Sequence, residues 1–154
     1  LSRTIIVLIM FIGACAGSTG GGIKVSRIII LFKSMAKELS VMIHPKQVRK
    51  ITVDSHAIDH ETVRSVNVYM VCYIMVFVIS MGVMSFDNYD LITNFTAVAA
   101  TLNNVGPGLE MVGPIQNFGF MSSPTKLILI FDMLAGRLEL FPMLLLFAPA
   151  TWKK

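Results

Sequence analysis

Apolar and polar positions along this chain come in blocks, and the longest blocks have the length of a bilayer. Residues 65–86 carry no charge, with Arg64 before them and Asp87 after. At about 1.5 Å per residue such a helix crosses a hydrocarbon core about 30 Å thick, so a membrane helix is predicted over 64–86. A second apolar block predicts a helix over 124–148, although Asp132, Arg137 and Glu139 interrupt it. Ionisable groups are costly near a bilayer centre, so these three are expected to face protein or water. For Asp132 the simplest reading is an aqueous vestibule. Pro142 removes one backbone donor and is expected to bend this helix.

Residues 4–23 are also uncharged, but their second half, Gly13 to Gly22, is dense in glycine. Each Gly costs about 1 kcal/mol relative to Ala in a helix, so no regular helix is expected to survive there. A helical pattern resumes at Lys24. The block 1–40 therefore reads as one helix broken by a loop over 13–23, and broken backbone at membrane depth must line a cavity or lie within protein. Residues 41–63 read as a cytoplasmic loop, and 149–154, with Trp152 and two lysines, as a cytoplasmic end. Between the two full spans, residues 89–101 predict a helix too short to cross. An uncharged loop over 102–109 and an outer loop over 110–123 follow. Because the flanking spans run in opposite directions, the short helix must dip in and return on the outer side. The unit is span, re-entrant helix, loop, span.

Composition strengthens this picture. Hydrophobic residues make up 55% and charged residues 14% of the chain, against about 25% charge in soluble domains. The net charge of +4 is not spread evenly. Basic residues cluster from Lys24 to Arg64, none lies between Arg64 and Lys126, and Asp87, Asp90 and Glu110 fall in that gap. This is the positive-inside asymmetry of a membrane protein, not a nucleic-acid footprint. Cys15 and Cys72 are isolated thiols, read as small buried hydrophobes. Arg3, the apolar run after it and Cys15 also have the outline of a lipoprotein signal peptide. That reading would put the basic segment outside the cell, against the charge asymmetry.

Two stretches are candidates for chemistry. A re-entrant helix followed by a glycine-containing loop is the device by which K⁺ channels expose backbone carbonyls to a dehydrated ion. Asn104-Val105-Gly106-Pro107-Gly108 has that outline. Val105 is expected to anchor the loop and Gly106 to permit a carbonyl geometry closed to residues with a Cβ. The partial negative charge at the helix C-terminus would face the cation. Without further context, a turn is the simpler reading of these five residues. Gly17 and Gly22 match part of a phosphate-binding loop, but Ile23 stands where Lys is required. An obstructing loop in a permeation path fits the glycines better. Arg137 lies too deep to snorkel easily, so carbonyls of the glycine loop or Glu139 are its expected partners. His56 and His60 have the i, i+4 spacing of a metal pair, for which a solvated loop is the simpler account. The sequon at Asn94 falls inside the re-entrant helix and is discounted.

These segments in this order resemble the Trk/Ktr/HKT superfamily of K⁺ transporters, most closely its bacterial TrkH-type membrane subunits. The match is carried by residues 13–25, by 100–109, and by Gly136-Arg137-Leu138-Glu139 with Trp152. The resemblance implies an all-α polytopic fold of four helix–pore loop–helix repeats. This chain would be the C-terminal third, holding the second helix of the third repeat and all of the fourth. Asn104, Val105, Gly106, Pro107 and Gly108 would be one of four filter segments, with K⁺ at Asn104, Val105 and Gly106. Gly17, Ser18, Thr19, Gly20, Gly21 and Gly22 would form the intramembrane gating loop, and Arg137 its contact. No catalytic residue and no cofactor is implied for this chain. Its partners would be the remainder of the same subunit, a second copy in a homodimer, membrane lipid, and a cytosolic regulatory ring that would itself bind NAD or ATP. The location would be the bacterial inner membrane, and transport would be passive or ion-coupled symport. Asp132, Ala135 and Pro142 depart from the family pattern, which expects Asn, a large apolar residue and Thr. Two rivals remain from the residues themselves: a non-transporting membrane scaffold or lipoprotein, and a secondary transporter with broken helices at the midplane.

Overall fold

A computed structural model describes residues 2–13, 15, 20–45, 51–53, 56–138, 140–146 and 152. Helix α1 (Ser2–Phe11) stops where the glycines begin, and α2 (Val25–Ile43) resumes beyond them. A short hairpin follows, β1 (Thr52–Val53) antiparallel to β2 (His56–Ala57), with Thr52 opposite Ala57 and Val53 opposite His56. Lys33 of α2 ties the hairpin down by donating to the Thr52 carbonyl at 2.6 Å. Then come α3 (His60–Met84), α4 (Leu91–Leu102), α5 (Ser123–Leu138) and α6 (Leu140–Leu146). Single 3-10 turns occupy Ser85–Asp87, Glu110–Val112 and Phe118–Phe120.

Local chemistry sets the helix ends. The Asp59 carboxylate accepts from His60 N at 2.9 Å, so α3 starts four residues before Arg64. Asn88, at φ 54°, adopts the left-handed conformation Asn tolerates and turns the chain back after α3. Asp90 caps α4 by accepting from Ile92 N at 3.1 Å. Asp90→Ala is expected to remove about 1 kcal/mol of local stability. Hydrogen exchange of the first-turn amides of α4 should then quicken about five-fold.

Among the described residues one helix, counted with its 3-10 turn as His60–Asp87, is long and apolar enough to cross a membrane. Helix α4, at 12 residues, reaches only about 18 Å, well short of a 30 Å core. It is nevertheless buried along most of its length, from Thr93 and Asn94 through residues 96–102. Its middle, at Ala97 and Val98, packs with Met84, Val112, Met121 and Leu129. Its inner end, at Leu102, joins Ile23, Tyr69, Tyr73, Val76, Ala135, Leu140 and Met143. Three rings lock α1, α3 and α4 together: Phe77 lies 5.3 Å from Phe95, and Phe11 lies 5.9 Å from each. Arg3 pairs with Glu110 at 2.7 Å, which places the start of α1 on the side of the loop after α4. Both side chains are well exposed, so the pair adds little stability.

Val71, Ile74, Met75, Val78 and Ile79 leave one face of α3 bare. A surface of that composition meets lipid or other protein, not water. Three expectations meet the structure here. His56 lies in β2 and His60 opens α3, so they do not share a helix face. Asn94 is buried within α4, out of reach of a glycosylating enzyme. Asp132 has no exposed surface and accepts from the Ser80 hydroxyl at 2.8 Å, so it lines no vestibule among the described residues; its place opposite a buried serine of α3 is the reason. The bend expected at Pro142 adjoins position 139, which lies outside the described residues.

Candidate functional site

Helix α4 ends in a closed turn that aims the following loop. Asn104 N donates to the Thr101 carbonyl at 3.1 Å and Val105 N to the Ala100 carbonyl at 2.9 Å. With Asn104 at φ 54°, these two bonds make a Schellman motif, Asn taking the left-handed position that Gly usually fills. The far side of the loop is also tied to α4. Leu109 N donates to Thr96 Oγ1 at 3.0 Å, and Gly108 N to the Val112 carbonyl at 2.7 Å. Between these ties Val105, Gly106 and Pro107 are exposed. Gly106 sits at φ 108°, with no atom within 4 Å of where a Cβ would project. The loop is fixed at both ends and open in the middle. Val105 is 46% exposed, so the anchoring expected of it falls instead to the amides of residues 108 and 109.

The base of the loop rests on α3 and α5. Tyr73 Oη donates to Asn103 Oδ1 at 3.0 Å, and Asn103 Nδ2 donates to the Ala99 carbonyl at 2.9 Å. Asn104 Nδ2 donates to the Met133 carbonyl of α5 at 3.1 Å. One turn further along α5, a Cβ on Gly136 would land on the Leu102 carbonyl and lie 2.8 Å from Asn104 Nδ2. On the other side stand the last glycines of the broken helix. A Cβ on Gly21 would come within 2.8 Å of the Asn104 side chain, and one on Gly22 within 2.6 Å of Asn103 Oδ1. Gly22, at φ 78°, also donates its amide to the Gly136 carbonyl at 3.2 Å. The break between α1 and α2, the end of α4 and the middle of α5 thus meet backbone to backbone.

Asn104, Val105, Gly106, Pro107 and Gly108 therefore lie together at the end of α4, with Gly20, Gly21 and Gly22 leading into contact with its base. Gly17, Ser18 and Thr19 lie outside the described residues. Arg137 is exposed and makes no hydrogen bond or ion pair among the described residues, and Glu139 lies outside them. The described link from α5 to the glycine loop is the Gly136 carbonyl. Sequence reasoning passed over Gly136, Asn103 and Tyr73 as participants. Only the lone glycine inside a helical pattern carried a signal, since such a position marks close packing. Among the described residues no three His, Cys, Asp or Glu side chains converge, and the loop is exposed at Val105, Gly106 and Pro107.

A buried helix too short to cross a membrane, with a loop tied back to it, packs among helices that leave apolar faces bare. A family profile described as "TrkH: Cation transport protein" matches residues 2–154. The chain belongs to the TrkH family of cation transport proteins, and its fold is that of an all-α membrane protein. It is 44% identical over 144 residues to the Trk system potassium uptake protein TrkH of Salmonella typhimurium (strain LT2), covering 94% of this chain and 29% of that protein. To the Trk system potassium uptake protein TrkG of Escherichia coli (strain K12) it is 33% identical over 154 residues, covering 99% and 31%. The crystal structure of the potassium transporter TrkH from Vibrio parahaemolyticus superposes with a TM-score of 0.86 at 41% identity, over 98% of this chain and 32% of that one. The chain spans less than a third of the length of each of these relatives.

Proposed function

We propose that this chain supplies one filter segment and one gate of a K⁺ uptake pathway in the bacterial inner membrane, as part of a multi-pass subunit. The observation that carries this reading is the loop at residues 104–108: held at both ends by a buried re-entrant helix, bare in the middle, and holding glycine where φ is positive. Backbone carbonyls of Asn104, Val105 and Gly106 replace part of the hydration shell of K⁺, with equivalent loops completing the ring. The names of the relatives, potassium uptake proteins of Trk systems, favour K⁺ as the cargo. Beneath the loop, the glycines ending at Gly22 obstruct the path, and the Gly136 carbonyl, next to Arg137 in α5, receives the Gly22 amide. Neither passive permeation nor symport requires a cofactor bound to this chain. Two copies of the subunit associate, and a cytosolic ring that binds NAD or ATP docks on the basic inner face.

The test is transport. The protein expressed from its complete gene, in a bacterium stripped of its own K⁺ uptake systems, should restore growth at low K⁺ and drive uptake of K⁺ or Rb⁺. Correct membrane insertion without either would overturn the reading and favour a non-transporting scaffold.

A further inference from the structure

One buried ionisable side chain plays no part in the pathway just described. Asp132 lies in the middle of α5 with no exposed surface, and Ser80, its hydrogen-bond donor on α3, is equally covered. The second carboxyl oxygen, Oδ2, has no partner among the described residues. Asp132 is fully covered, as is the hydroxyl it meets. No ion pair to it occurs among the described residues. An ionised carboxylate with one hydroxyl for company would be strongly penalised at this depth. The site suits an uncharged polar side chain, one that accepts from Ser80 and thereby joins α3 to α5.

The location gives that joint its meaning. The next residue, Met133, offers the carbonyl that receives Asn104 Nδ2 at 3.1 Å. Four residues on from Asp132, Gly136 packs against the Leu102 carbonyl at the end of α4. On α3, Tyr73 lies two turns before Ser80 and donates to Asn103. The Ser80–Asp132 bond therefore fixes the depth and rotation of α5 relative to α3, and both helices hold the base of the loop. We propose that Asp132, with Ser80, is a positioning residue for ion selectivity: it sets the Met133 carbonyl that seats Asn104, without touching the ion. The proposal rests on the reading of residues 104–108 as a filter segment.

The experiment compares Asp132→Leu, Asp132→Asn, Ser80→Ala and Gly106→Ser in the protein expressed from its complete gene. The host lacks its own uptake systems, and K⁺ and Na⁺ uptake are measured per transporter in the membrane. Loss of protein alone lowers both fluxes together, so the K⁺/Na⁺ ratio is the readout. Asp132→Leu and Ser80→Ala should lower the ratio about five-fold, the equivalent of one hydrogen bond of about 1 kcal/mol. Asp132→Asn, which can still accept from Ser80, should keep the ratio within about two-fold of the parent. If Asp132→Leu does not reach the membrane, the smaller change Ser80→Ala decides. An unchanged ratio in both Asp132→Leu and Ser80→Ala, with Gly106→Ser altered, overturns the positioning role alone. So does an Asp132→Asn variant as damaged as Asp132→Leu. An unchanged ratio in Gly106→Ser removes the filter reading and this proposal with it.

Discussion

Gly106→Ser is expected to reduce the K⁺/Na⁺ uptake ratio about ten-fold while leaving the amount of protein in the membrane unchanged. Ten-fold corresponds to about 1.4 kcal/mol. The source of the effect is the backbone. At φ 108° a residue with a Cβ is strained, and nothing in the surroundings forces it to stay there. Holding a side-chain residue in such a region costs about 1–3 kcal/mol. Because the space around Gly106 is open, the loop relieves the strain by rotating its own peptide planes. Rotation re-aims the carbonyls of Val105 and Gly106, the atoms proposed to meet the ion. Stability is spared for the same reason, since no packed neighbour is displaced. Gly106→Ala should behave like Gly106→Ser, because the cause is the Cβ and not the hydroxyl. A parent-like ratio in both variants would remove Gly106 from the filter.

Gly136→Val should do the opposite: abolish uptake by dismantling the site. A Cβ at this position meets the Leu102 carbonyl and the Asn104 amide, and backbone cannot swing aside as a side-chain tip can. Overpacking of this kind costs about 1–3 kcal/mol, and here relief requires α4 to move off α5. That movement breaks the Asn104–Met133 bond at 3.1 Å and the Gly22–Gly136 bond at 3.2 Å. The expected result is a lower melting temperature in detergent together with no measurable K⁺ uptake. Gly82 supplies the contrast. It lies in α3 with nothing within 4 Å of its Cβ position, so Gly82→Ala should gain about 0.5–1 kcal/mol from helix propensity alone. Equal tolerance at the two glycines would mean that the contact at Gly136 is not needed.

Much of this was legible in the chain because lipid imposes a length and a polarity. The uncharged run before Asp87 announced α3, and the run of glycines announced the break between α1 and α2. A short helix was expected over 89–101, and α4 occupies Leu91–Leu102. Other features were hidden because they depend on what lies across the contact. Arg137 drew attention through its charge, whereas Gly136 has no side chain to advertise and proved to hold the described link to the loop. A carboxyl in a span must be covered, but only three dimensions reveal that Ser80 covers Asp132. Helix ends moved with their caps: Asp59 drew α3 back to His60, and α2 ran on to Ile43. The hairpin at residues 52–57 was read only as loop, since two-residue strands leave no periodicity to detect.

The loop at residues 104–108 has both of its abutments on one helix. Val105 N is bonded to Ala100 and Leu109 N to Thr96, and both acceptors belong to α4. Loop and helix therefore travel as one rigid cassette. If α5 shifts beneath it, the cassette feels the movement at its base, where Asn104 Nδ2 is held by the Met133 carbonyl, while its far end stays tied to Thr96. The loop is thus hinged unevenly, with one abutment on its own helix and the other shared with α5, so a displacement of α5 would reach the proposed filter segment from below.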